Sequence, residues 1–270
     1  AEVVAPTIFN TGQVLFGFAR AYVATREARF ASALKRAADW LVAAQDADGA
    51  WRRFPSPFAP GSDVKAYNTR SAFGLVRAWE ALGDKRWLDA AEANAAWALG
   101  TALPNAFLPK NCLTANPAPL THTLAYSMRG LMEIGVATGQ QRYLELAIRM
   151  ADAIAAHQRP DGAMPGRYDA EWKPAADWSC LTGNSQLAIN WWRLCRITGD
   201  QRFGRFASAA NRYNMRAQDL RVRDTHRAGA LKGSHPINGG YMTWRYPNWA
   251  TKFFADALML EMRPDVNNLG

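Results

Sequence analysis

Apolar residues recur at helical period through most of the chain, and the periodic runs come in pairs. Each pair is joined by a short stretch that ends in arginine and an aromatic residue. These are TREARF (Thr25 to Phe30), LGDKRW (Leu82 to Trp87), TGQQRY (Thr138 to Tyr143) and TGDQRF (Thr198 to Phe203). Their arginines, Arg29, Arg86, Arg142 and Arg202, stand 57, 56 and 60 residues apart. All four stretches carry turn chemistry, three of them with glycine. The repeating unit is therefore a helix, a tight turn and a second helix. The pattern predicts first helices near 11–24, 68–82, 121–137, 184–197 and 248–262, and second helices near 29–45, 86–100, 141–157 and 201–217.

The connections from a second helix to the next first helix are long: Gln45 to Tyr67, Gly100 to Thr121, Gln158 to Thr182 and Gln218 to Pro247. In antiparallel hairpins such loops gather on one face and the tight turns on the other. Long irregular loops commonly carry function. The expected fold is all-α, an α/α toroid forming a single domain over 1–270, with five inner and four outer helices and a pocket at the long-loop end. A six-hairpin ring holds more helices than this. The count predicts either an (α/α)6-type ring lacking its N-terminal part in this chain, or an open or five-fold ring.

Superposing the units on their arginines reveals further columns. Gly17, Gly74 and Gly130 coincide in the first helices, with Asn190 in the fourth. Glycine costs about 1 kcal/mol against alanine inside a helix, so the column predicts close backbone approach. Four residues earlier, on the same helical face, stand Gln13, Arg70, Tyr126 and Gln186. They are expected to ring the floor of the pocket. Gln45, Gln158 and Gln218 coincide after the second helices.

QDADGAW (Gln45 to Trp51) fits the Q-x-x-x-G-x-W pattern of terpenoid cyclases and similar toroids, and QRPDGAM (Gln158 to Met164) is a variant. The glutamine is expected to cap the outer helix, Asp-Gly to turn the chain and the aromatic to pack beneath. With its repeat period and turns, the chain resembles the six-hairpin glycosidase-like superfamily, including helical-ring proteins of bacterial exopolysaccharide processing. The resemblance covers essentially the whole chain and rests on no catalytic signature. It implies a carbohydrate-active enzyme that cleaves or modifies an acidic poly- or oligosaccharide, as a glycoside hydrolase or as a polysaccharide lyase or uronyl epimerase. The alternative is a non-catalytic glycan-binding or scaffold ring. Terpenoid or prenyl chemistry is less supported: DxDD and DDxxD motifs are absent, and no residues have zinc-ligand spacing.

The densest cluster of candidate side chains runs from His235 to Asp256. A glycosidase needs two carboxyl groups across the scissile bond. Asp177, before TGNSQ, and Asp63, before YNTR, are best placed, but no tight pair stands out. A β-eliminating lyase must neutralise a uronate, remove its C5 proton and protonate the leaving oxygen. For that chemistry the resemblance implies Asn, His, Arg and Tyr. The catalytic candidates are accordingly Tyr241, His122, Asn68 and Arg245, with Asp177 for hydrolysis. Substrate-binding candidates are Gln13, Tyr67, Arg70, Tyr126, Trp178, Asn184, Gln186, Trp244, Tyr246, Asn248 and Lys252. Structural roles compete at several of these. Asn68, Asn184 and Asn248 stand where helix N-caps stand, and most of the 11 tryptophans must be core.

A net charge of +9 favours acidic partners. No block of five or six consecutive basic residues exists, so an acidic glycan is expected ahead of nucleic acid, with many arginines on solvated helix faces. The longest apolar runs fall short of 18 residues, and no membrane insertion is expected. The opening residues, AEVVAPTIFNTG, lack a basic region followed by an apolar core, so no signal peptide stands in the chain as given. Periplasmic, secreted and cytoplasmic locations stay open, as does the oligomeric state. Cys112, Cys180 and Cys195 are odd in number and lack CxxC spacing, against a disulfide framework or a cysteine-based zinc site. No cofactor is expected: phosphate-cradling, dinucleotide and GxSxG motifs are absent.

Overall fold

The long periodic runs all form helices. A computed structural model describes residues 5–56, 59, 64–113, 116–223 and 226–263; Asp63 lies outside them. The helices are α1 Ile8–Thr25, α2 Ala28–Ala44, α3 Thr69–Leu82, α4 Lys85–Thr101, α5 Thr121–Thr138, α6 Gln141–Ala155, α7 Leu181–Thr198, α8 Gln201–Ala217 and α9 Asn248–Met262. α7 starts three residues before its expected position because Cys180 caps it, its Sγ accepting from Gly183 N at 3.4 Å. The described residues also include one two-stranded pairing, β1 (Ser179–Cys180) antiparallel to β2 (Ser234–His235), with Cys180 opposite Ser234. The chain groups into two compact units. The first is Ala1–Asn116 with Tyr126–Arg149; the second is Pro117–Ala125 with Met150–Gly270.

The short turns owe their shape to the residues that repeat. Gly83, Gly139 and Gly199 take left-handed backbone at φ +82, +69 and +75, which glycine adopts without steric cost. The first turn has no glycine, and Arg26 takes that conformation at φ +58. The column arginines reach back to an acid two residues earlier: Arg29 to Glu27 at 2.8 Å, Arg86 to Asp84 at 2.5 Å and Arg202 to Asp200 at 2.7 Å. The third turn has Gln140 there instead, and Arg142 donates to the Tyr143 hydroxyl at 2.8 Å. These arginines are exposed turn chemistry.

The glycine column marks contact between successive first helices. In the first unit, a Cβ on Gly74 would lie 2.5 Å from Gly12 O, and one on Gly130 would lie 2.3 Å from Thr69 O. In the second unit Asn190 holds this position, and its amide donates to Ala125 O at 2.9 Å. Gly17 departs from the pattern: it is exposed, with nothing within 4 Å of a Cβ. No helix precedes α1 among the described residues to meet it.

The glutamine–glycine loops lock each second helix to the next. Gln45 Nε2 donates to Gly49 O and to Ala90 O of α4, both at 2.9 Å. Gln158 Nε2 likewise donates to Phe206 O of α8 at 2.9 Å. The side chain thus ties neighbouring helices together, where the sequence suggested a cap on its own helix. Gly49 and Gly162, both at φ +87, press on the same partners: a Cβ would lie 2.3 Å from Ala93 O and 2.1 Å from Ala209 O. Trp51 packs beneath, 2 % exposed, its indole donating to Leu41 O at 2.9 Å. In both loops the aspartate accepts from the backbone two residues on (Asp48 from Ala50 N, Asp161 from Ala163 N), so Asp161 belongs to its turn.

Candidate active site

The long loops of the second unit are laced side to side by backbone hydrogen bonds. Thr121 N donates to Gly166 O at 3.0 Å, Gly166 N to Trp178 O at 2.7 Å, Leu181 N to Gly233 O at 3.1 Å, and Gly233 N to Arg245 O at 3.0 Å. This lacing brings the starts of α5 and α7 and the loop before α9 together. Trp178 is the wedge between them: Cβ atoms on Gly166, Gly239 or Gly240 would come within 2.3, 2.8 and 2.9 Å of its indole. Only glycine leaves room for the ring.

His122, second residue of α5, lies at the centre and is buried. Its ring stacks on Tyr241, with centroids 4.5 Å apart and a 40° tilt. Its Nδ1 is 3.8 Å from Cys180 Sγ. Tyr241 is held from behind by Ser234, whose hydroxyl donates to Tyr241 O at 2.7 Å and accepts from Tyr241 N at 3.0 Å. The tyrosine hydroxyl accepts from Trp249 Nε1 of α9 at 2.9 Å. Burial, and then the Arg167 charge, push the His122 pKa down to about 3, so the imidazole is neutral at ordinary pH. Burial lifts the Cys180 thiol to about 12 against the lowering pull of the Gly183 N–H. Both shifts oppose a thiolate–imidazolium pair.

The first turns of α7 add an unusual polar surface. Thr182, Asn184 and Gln186 are all buried, Asn184 completely. Thr182 Oγ1 and both polar atoms of Asn184 and of Gln186 find no hydrogen-bond partner among the described residues. An unsatisfied buried polar group costs about 1–3 kcal/mol. Five on one helix start, with Asn184 on the opposite side of the helix from Thr182 and Gln186, are an unusual concentration of unmatched polar atoms among the described residues. Thr182 and Gln186, one turn apart, share a helical face.

The first unit holds a second polar group. Arg70, 5 % exposed, donates from Nε to Gln13 Oε1 at 3.3 Å, and its guanidinium lies over Phe16 at 4.4 Å. Phe9 contacts both Tyr67 and Tyr126, at centroid distances of 5.6 and 5.1 Å. Burial, with Tyr126 nearby, raises the Tyr67 pKa above the ordinary phenol range. Gln13, Tyr67, Arg70 and Tyr126 are thus brought together around two phenylalanines. Gln13 Nε2 and Asn68 Oδ1 are buried and find no hydrogen-bond partner among the described residues.

No protein family and no curated protein matches the sequence. The fold does match solved structures. An unsaturated glucuronyl hydrolase specific for heparin superposes with a TM-score of 0.77 at 16% identity, over 98% of this chain and 78% of that one. An unsaturated glucuronyl hydrolase responsible for glycosaminoglycan degradation, from Bacillus sp. GL1, gives 0.73 at 18%, over 94% and 74%. The GH76 α-mannanase BT2949 of Bacteroides thetaiotaomicron gives 0.71 at 15%, over 97% and 70%. The fold shared with these structures is an all-α fold of the α/α toroid kind.

The remaining sequence candidates lie apart from these clusters or are engaged elsewhere. Asp177 is exposed in the loop before β1. The Tyr246 hydroxyl donates to Asp219, which also takes Lys232 at 3.2 Å, so this tyrosine ties its own loop. Lys252 pairs with Asp256 at 2.5 Å within α9. Arg245 and Asn248 are exposed, and Trp244 is 69 % exposed on left-handed backbone at φ +59. None of the three asparagines weighed as N-caps makes a side-chain cap bond. Asn184 lies inside α7, Asn248 is the first residue of α9, and Asn68 ends a 3-10 turn (Ala66–Asn68). Two residues of the His122 cluster, Cys180 and Arg167, were absent from the sequence-derived candidates. The place of Cys180 just before TGNSQ was a usable signal; Arg167 reaches the cluster only through tertiary pairing opposite Leu120.

Proposed function

We propose that this protein is a carbohydrate-active enzyme acting on an acidic oligosaccharide, by proton transfer at a uronate rather than by two-carboxylate hydrolysis. The observation that carries this is the His122–Tyr241–Trp249 cluster in the same unit as the unsatisfied polar side chains of α7. Asn184 and Gln186 supply amide donors and acceptors suited to sugar hydroxyls and a carboxylate, and Arg167 supplies positive charge near His122. The neutral imidazole positions by stacking and hydrogen bonding. The proton-transfer role falls to the Tyr241 hydroxyl, which the Trp249 N–H orients by its hydrogen bond.

In elimination the C5 proton leaves to a base, the C4–C5 double bond forms, and the O4 leaving group takes up a proton. In epimerisation the proton returns to the opposite face. Hydrolysis is less supported because the buried carboxylates among the described residues, Glu133 and Asp256, are already paired with Arg129 at 2.9 Å and Lys252 at 2.5 Å. The glucuronyl substrates named for two of the similar structures agree with an acidic sugar. Gln13, Tyr67, Asn68, Arg70 and Tyr126 are proposed as further sugar-binding groups.

The test is incubation with uronate-containing oligosaccharides. Elimination is expected to raise absorbance near 235 nm; epimerisation exchanges the C5 proton with solvent deuterium without that absorbance. Tyr241→Phe is expected to lower turnover by about 100-fold or more with glycan affinity retained. New reducing ends with neither signal would replace this reading with hydrolysis. Binding without any turnover would replace it with a glycan-binding protein.

A further inference from the structure

The positive charge of the chain is concentrated rather than spread. Residues 201–232 contain eight basic side chains (Arg202, Arg205, Arg212, Arg216, Arg221, Arg223, Arg227, Lys232) and two acidic ones (Asp219, Asp224), so 8 − 2 = +6 of the chain's +9 falls here. α8 itself carries four arginines and no acid. At 100° per residue, Arg202, Arg205, Arg212 and Arg216 fall within one narrow arc of the helix, and all four are exposed. Away from this arc α8 is buried through Phe203, Ala207 and Ala210, with Tyr213 buried at its edge. The stripe is therefore a set face and not a random scatter.

Its charge is only partly compensated. Arg202 is held by Asp200 at 2.7 Å and lies 3.8 Å from Asp152, and Arg216 donates to Asp161 O. Asp200 also feels Arg205. Arg212, Arg221 and Arg223 make no hydrogen bond or ion pair among the described residues, and all are exposed. In sequence Arg221 and Arg223 follow α8, and like α8 and the His122–Tyr241 cluster they belong to the second unit.

We propose that this arginine face is a second binding site, separate from the candidate active site, that holds a linear anionic polysaccharide through its carboxylates. It rests on the acidic-sugar reading above for the choice of polymer. Guanidinium forks match carboxylates two bonds at a time. Single-stranded nucleic acid is the competing polyanion, and it binds through aromatic platforms interleaved with the positive charge. The exposed arc of α8 has none: Phe203 and Tyr213 are buried, the half-buried Phe206 lies outside the arc and packs on Trp191 at 5.7 Å, and Ala209 stands in the middle of the stripe. The face would retain a long chain at the enzyme between events at the site, a function a short oligosaccharide does not need.

The experiment compares wild type with the quadruple variant R205Q/R212Q/R221Q/R223Q, and with a control of equal charge loss in the first unit, R20Q/R26Q/R36Q/K110Q. The probe is polygalacturonate, followed by co-sedimentation or interferometry across salt. The first variant is expected to lose polymer affinity by at least about tenfold at low salt, with a shallower dependence of log K on log salt; the control stays within about twofold of wild type. Both are exposed-surface changes, and circular dichroism confirms that they are folded. Equal losses in both variants, unchanged binding in the first, or no polymer binding by wild type would each overturn the proposal. So would an oligonucleotide of matched charge that binds the same face more tightly. A short uronate oligosaccharide run alongside separates this outcome from the active-site reading. Its turnover at saturating concentration is expected to be the same in all three proteins, and its absence in wild type would count against that reading alone.

Discussion

Asn184 and Gln186 are the residues at which folding and function pull hardest against each other. Each is buried with both polar atoms unmatched among the described residues, and apolar side chains of similar volume would remove that cost. Asn184→Leu and Gln186→Met are therefore expected to raise the stability of the free protein, by about 1–3 kcal/mol at most for each, while weakening glycan binding. Urea denaturation and a binding titration measured together check this. Loss of stability would show that the two side chains have structural partners. His122 makes a pH-dependent prediction. Its folded pKa, about 3, lies below the ordinary value of 6.5, so the unfolded chain binds the proton first. Stability is expected to be full above about pH 6.5 and to fall as pH drops toward 3. His235 shifts in the same direction, so the measurement is the difference in slope between wild type and His122→Gln from pH 7 to 4.5. Identical slopes would mean that His122 is not buried as neutral imidazole. Few of these relations were visible in sequence. The type and position of Asn184 and Gln186 could be read from the repeat, but their lack of partners depends on what surrounds them. The Tyr241–His122 stack joins residues 119 apart, since 241 − 122 = 119, and no local period records it.

At the scale of elements, the sequence was most informative where one residue type recurs for one mechanical reason. Every long periodic run became a helix, and three of the four tight turns fell on the glycine of the repeat, the first on Arg26. The glycine column was legible as close packing, and Gly74 and Gly130 do sit against a neighbouring backbone. The same alignment misled at Gly17, because a column records a position in the repeat and not whether a neighbour is present. These glycines yield opposed expectations. Gly17→Ala fills open space on an exposed helix face and should stabilise by about 0.5–1 kcal/mol. Gly162→Ala forces a left-handed φ and a contact of 2.1 Å with Ala209 O, and should destabilise by about 2 kcal/mol or more. The shift in urea midpoint of each variant decides the matter, and a Gly162→Ala midpoint at the wild-type value would mean that the glycine–helix lock is not under the strain its geometry implies. Harder to read from sequence was the glutamine, whose side chain reaches across to the next second helix. A capping role and a bridging role use the same residue at the same helix end.

The whole molecule contributes through its field. A charge of +9 acts over a Debye length of roughly 30 Å at 0.01 M salt and roughly 8 Å at 0.15 M, so long-range attraction of an anionic substrate is strong in the first condition and mostly lost in the second. If the acidic-sugar reading holds, raising the salt over this range should lower kcat/KM for a uronate oligosaccharide several-fold through KM. On the proposed mechanism chemistry after binding takes place at His122 and Tyr241, where the imidazole is neutral and buried, so kcat should change little. A carboxyl-reduced oligosaccharide of the same length is the control: it has no charge to be steered, and its KM should be insensitive to salt. Parallel loss for both sugars would assign the salt effect to the protein's own conformation and remove electrostatic steering from its function. An effect on kcat alone would place a screened charge in the chemical step, in conflict with a neutral His122.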